Sequence, residues 1–154
     1  MAQWIGFTNQ KLYQCRLLLS ERDKVVDNKV LAKALEEGAL HLLHDAWLSY
    51  LQELGEMVTF REPVSSLSDL LGRASMITGE MRELSQLADN GFSWLAQMLS
   101  AVDALNRQPM PKVQATDAMQ LLVVAEEVSE SQVSDWWRDL SRLIERQREN
   151  RQES

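Results

Sequence analysis

The only two histidines of this 154-residue chain, His41 and His44, stand among the carboxylates Glu37 and Asp45. Imidazole and carboxylate are ordinary ligands of divalent transition metals. On an α-helix, offsets of three, four and seven residues bring all four within an arc of about 100°. Such a face can bind a divalent metal or carry acid–base chemistry if a second helix supplies further ligands. Glu37, His41, His44 and Asp45 are therefore the metal-ligand candidates. The spacing is neither His-Glu-x-x-His nor the paired Glu-x-x-His of di-iron bundles, and no other histidine exists to complete a site. The same side of the segment continues in Gln52 and Glu56, so a solvated face with i,i+4 pairing is the first reading, and no cofactor is expected.

Other chemistries find less support. Cys15 stands alone, which excludes an intramolecular disulfide, and its apolar neighbours make it a buried small hydrophobe rather than a nucleophile. No serine is flanked by the glycines of a nucleophile elbow, and no glycine-rich loop could cradle a phosphate. No arginine precedes either histidine by four to six residues, the arrangement of helical ribonucleases. These observations leave no catalytic residues to name, and a non-enzymatic protein acting through protein–protein contacts is the expectation, a homodimer included. The alternative is a metal- or small-ligand-binding bundle that uses the His41/His44 face.

Five tryptophans are many for this length. Trp47 and Trp94 lie on apolar stripes and read as core. Trp136 and Trp137 are adjacent, about 100° apart on a helix, so one of them should reach the edge of the core. With Trp4, Ile5 and Phe7 they form the candidate partner surface, because aromatic side chains are enriched at binding hot spots; a wide buried face is the alternative reading. The arginines from Arg138 to Arg151 alternate with acids, as on a salt-bridged solvated helix. The net charge of −7 also opposes general nucleic-acid binding, since a phosphate backbone rewards clustered cations.

The elements that must position these residues are helices. Glycine (6) and proline (3) are scarce and strong helix formers dominate. A first helix is predicted from Thr8, with residues 1–7 as an N-terminal arm. A second starts at Asp27 and runs to about Val58, its apolar arc wide enough for two neighbours. After a loop containing Pro63, Ser66 should cap a short helix, and Thr78 the next. Asp89-Asn90-Gly91 should kink or split that third rod. Residues 109–127 read as a linker or extended strap, with a short helix as the alternative. Ser129-x-x-Gln132 has the form of a capping box for the last helix, and residues 148–154, which hold no apolar side chain, should fray. The expected fold is all-α, a four-helix bundle-like single domain over 1–154. No apolar run approaches a membrane span and no secretory leader is evident, so a cytoplasmic setting is expected.

Taken together, Thr8-Asn9-Gln10-Lys11-Leu12-Tyr13, the run from Glu37 to Leu54 with His44, Ser93-Trp94-Leu95-Ala96-Gln97 and Trp137-Arg138-Asp139-Leu140 resemble an uncharacterised gammaproteobacterial family of short helical proteins of unknown function. The resemblance implies a helical domain in a bacterial cytoplasm and brings no activity or site residues with it.

Overall fold

A computed structural model describes the backbone of residues 2–107 and 115–153, with side chains for 3–107 and 132–152. All regular structure among the described residues is α-helical: α1 (Ala2–Lys24), α2 (Lys29–Met57), α3 (Leu67–Arg73), α4 (Gly79–Asp89), α5 (Trp94–Asn106) and α6 (Ala115–Glu153). The third rod is thus divided, with α4 and α5 as separate helices on either side of Asn90.

Local chemistry sets most of the starts. Asn28, one residue beyond the expected Asp27, caps α2 by accepting the Leu31 N–H at 3.2 Å. The Ser66, Thr78 and Ser93 hydroxyls do the same for α3, α4 and α5, each taking an N–H three residues on. At the end of α2 the chain folds back, and the Phe60 N–H reaches the Gly55 carbonyl at 2.8 Å. A Cβ on Gly55 would lie 3.2 Å from the Phe60 carbonyl oxygen, so this close return favours glycine. Thr59, with φ 60°, makes the left-handed step of the turn.

Three sequence expectations are corrected. Residues 2–7 are not an arm but the first turns of α1, and Thr8 is no cap. Its side chain is fully buried against α2. Of the strap, residues 115–127 are helical and 109–114 lie outside the described residues; α6 runs through Ser129 without a break, so no cap is needed there. Residues 148–153 continue α6 rather than fray, because arginines there are held by acids on α2 and α4.

α1 and α2 pack side by side as an antiparallel hairpin, and α6 lies against both, with α5 closing on α2 and α6. The middle of α2 is enclosed: Trp47, Tyr50, Leu51 and Leu54 are fully buried, together with Cys15, Leu84, Leu95, Met98, Leu140 and Ile144. Gln52 joins that core to the loop after α2, donating to the Glu62 carbonyl at 2.7 Å and accepting the Val64 N–H at 2.9 Å. Arg73 tightens the same loop through Asp69, Glu62 and the Pro63 carbonyl.

Candidate functional site

The corner between α4 and α5 is built from short polar side chains. The Asn90 side-chain oxygen accepts the Phe92 N–H at 3.1 Å, and the Ser93 N–H returns to the Asn90 carbonyl at 2.9 Å. The Ser93 hydroxyl then donates to the Leu87 carbonyl at 2.6 Å while capping α5. These bonds fix the backbone on both sides of Phe92, whose side chain is 93% exposed. Beside the corner lies a groove of about 650 Å³ between α4, α5 and α6. Leu87, Trp94 and Leu143 give it an apolar lining; Glu83, Gln86, Asn90, Asp139, Arg142 and Arg146 supply the polar part. Arg146 pairs across it with Glu83 at 2.7 Å, which holds the Glu83 carboxyl below its ordinary range and raises the guanidinium. Asp139 and Arg142 make no hydrogen bond or ion pair with any described residue.

A second polar cluster fastens α1, α2, α4 and α6. The Glu53 carboxylate, 4% exposed, accepts the Thr8 hydroxyl at 2.6 Å and takes Arg148 in bidentate fashion at 2.7 and 3.1 Å. Arg148 also reaches Asn9 at 2.8 Å. Arg151 donates to the Tyr50 hydroxyl at 3.1 Å and stands 3.9 Å from Glu80. The Tyr50 hydroxyl donates to Gln147, and burial pushes the phenol up to about 12. A cavity of about 410 Å³ opens next to this cluster, walled by Ile5, Met57, Glu53, Arg148, Arg151 and Gln152. Glu53 and Glu80 offset Arg148 and Arg151, so the cluster joins helices rather than presenting a charge to a ligand.

The histidine face keeps its predicted register on α2. His41 and Asp45 are exposed, while Glu37 and His44 are half-buried. Among the described residues no group of three or more His, Cys, Asp or Glu side chains converges as metal ligands do. The physical reason is geometric: the four side chains fan over one helix face, and no second helix adds a histidine. Burial lowers the His44 pKa, against the opposing pull of Asp45 and of Asp103 on α5.

The five residues expected to form a partner surface are divided. Trp136 is buried in the core. Trp137 is half-buried, its indole N–H donating to the Leu12 carbonyl at 2.8 Å, which commits it to the α1–α6 contact. Trp4 and Ile5 are half-buried on α1, with Ile5 in the cavity wall. Phe7 is 41% exposed and stacks edge-on against Trp4 at 6.1 Å.

A family model matches residues 1–154, described as a Family of unknown function (DUF6586). The chain belongs to this family. No curated protein and no solved structure matches it. Membership in DUF6586 thus brings a family without an assigned activity, and functional reasoning for this DUF6586 chain rests on its own geometry. No helix among the described residues is long and apolar enough to cross a membrane. Sequence reasoning does not single out Phe92, because its spacing to Leu95 and Leu99 lets it pass for the start of the next helix's apolar stripe. The signal was present in Asn90-Gly91-Phe92-Ser93: a turn signal followed by a serine cap places the phenylalanine outside the helix.

Proposed function

We propose that the chain is a non-enzymatic helical protein that acts through protein–protein contact at the α4–α5 corner. One observation carries this reading: Phe92, the most exposed of the large apolar side chains among the described residues, is held on a tied backbone beside an apolar-lined groove. A large apolar side chain presented this way loses little conformational freedom on binding, and burying a phenyl ring is worth about 1.5–3 kcal/mol. The reading places the chain in a bacterial cytoplasm. It takes the fold as four-helix bundle-like, with α1, α2, α6 and the α4–α5 pair as its rods. Of the residues first assigned to a partner surface, Phe7 with Trp4 could widen the contact area, whereas Trp136 and Trp137 serve packing.

The test is photo-crosslinking in the native cells, with a benzoylphenylalanine at position 92 and a control at Ser20, which is exposed on α1. A discrete crosslinked product from position 92 and none from position 20 is expected. Absence of any product from position 92 would remove the reading.

A further inference from the structure

We infer that the partner at this corner is a second copy of the same chain, docked about a two-fold axis that crosses α6 between Asp139 and Arg142. This rests on the protein-contact reading above and names its partner. Along α6, Asp135, Asp139, Arg142 and Arg146 fall at offsets of four, seven and eleven residues, within an arc of about 60°. The order along this stripe is acid, acid, base, base. Set antiparallel against itself, such a stripe is self-complementary. In the register that places Asp139 of one copy opposite Arg142 of the other, Asp135 also falls opposite Arg146. A two-fold contact needs this property, because each residue must meet its counterpart's complement.

Three structural observations favour this occupant. Asp139 and Arg142 are one turn apart and have no ion-pair partner among the described residues, so the monomer leaves the centre of the stripe unused. Both residues border the groove lined by Leu87, Trp94 and Leu143. Phe92 follows Asn90 and precedes Trp94 by two residues each, and both of those neighbours also line the groove. Knob, hole and charge stripe therefore lie in one region, as an isologous interface demands, and the phenyl ring of each copy can enter the groove of the other. A heterologous contact, by contrast, would leave one knob and one groove of every pair exposed.

Sedimentation equilibrium of the full chain, whose monomer is 17.6 kDa, tests the proposal over concentrations of about 1–300 µM. The wild type is expected to reach twice the monomer mass. Phe92→Ser, Asp139→Arg and Arg142→Asp should each weaken the dimer at least tenfold. Mixing Asp139→Arg with Arg142→Asp should then restore a heterodimer, because every cross-axis pair regains opposite charges. All three positions lie outside the core, and far-UV circular dichroism of each variant checks that the helices are kept. A wild type that stays monomeric, a dimer indifferent to Phe92→Ser, or a charge-swapped mixture that fails to pair overturns the proposal. If the wild type is monomeric while position 92 still crosslinks to a different protein, the second copy is excluded and the protein-contact reading stands.

Discussion

Arg148, in the last turns of α6, grips the carboxylate of Glu53 in the last turns of α2 through two hydrogen bonds of 2.7 and 3.1 Å. The acid is almost sealed from solvent, and the Thr8 hydroxyl of α1 donates to Oε2, the oxygen that takes the 2.7 Å bond. Bidentate pairing of this kind fixes both distance and orientation, which a lysine in place of Arg148 could not do.

Removing one partner should cost far more than removing both. Arg148→Met leaves the buried carboxylate with Arg151, 4.0 Å away, as its remaining cation, and a loss of up to about 3–5 kcal/mol is expected. The double variant Glu53→Leu with Arg148→Met should recover most of that loss, since an apolar pair avoids the desolvation of two ions. Urea denaturation of the wild type, both single variants and the double variant measures the coupling. A double variant as unstable as the sum of the singles would show that the pair is not coupled.

Two glycines of α2 should respond oppositely to alanine. At Gly55 the new methyl would stand 3.2 Å from the Phe60 carbonyl oxygen, and that backbone is held by its own hydrogen bond to Gly55. Gly55→Ala is expected to destabilise by about 1–3 kcal/mol, as overpacking does. At Gly38 the neighbour within reach is the Leu18 Cδ1 at 3.1 Å, the tip of a half-buried side chain that can turn aside. Gly38→Ala should therefore gain up to about 1 kcal/mol from helix propensity. Thermal melts of the two variants against the wild type decide the signs.

Acidification should weaken the fold in two stages. The His44 pKa lies below its ordinary 6.5, chiefly through burial, so just below that value the unfolded chain binds more protons than the folded one. Stability consequently falls as the pH drops through this window. The Asp69 carboxyl is held at about 2 rather than 3.8, mainly by Arg73, with help from the Ser65 backbone N–H. Its contribution is complete above 3.8 and disappears as the pH falls on through about 2. Urea midpoints followed from about pH 7 down to about pH 2 should lose the first decline in His44→Gln and lessen the second in Asp69→Asn. An unchanged profile in His44→Gln would assign the first stage to other groups.

What could be read in the sequence follows from what local chemistry controls. The serine and threonine caps at Ser66 and Thr78 and the break at Asn90-Gly91 depend on side chains next to the backbone they satisfy, and they stand where the pattern placed them. The apolar arc of α2 likewise carries Leu43, Trp47, Leu51 and Leu54 into the core, although Leu31, on the same arc, is exposed. Reading failed where a polar residue is buried by a distant partner. Thr8 has the look of a cap, yet its hydroxyl faces Ser49 and Glu53, over forty positions along the chain. The stretch after Ile144 has no apolar side chain, a pattern that predicts fraying, yet Gln147 is buried and Arg148 and Arg151 are engaged. Hydrophobic periodicity has no term for a charge whose counter-charge lies on another helix. The histidine face shows the converse case: its spacing was legible, but convergence of ligands is a property of several helices together.

The Thr8–Glu53–Arg148 contact also orders events in time. Glu53 is synthesised 95 residues before the arginine that neutralises it, and Asn9 139 residues before the same side chain. While the ribosome is still making α6, the α1–α2 hairpin holds an acid with Thr8 and Ser49 beside it and no Arg148 opposite. This end of the molecule can lock only after translation has passed Arg148, so the hairpin remains open to rearrangement until the last turns of α6 have been made.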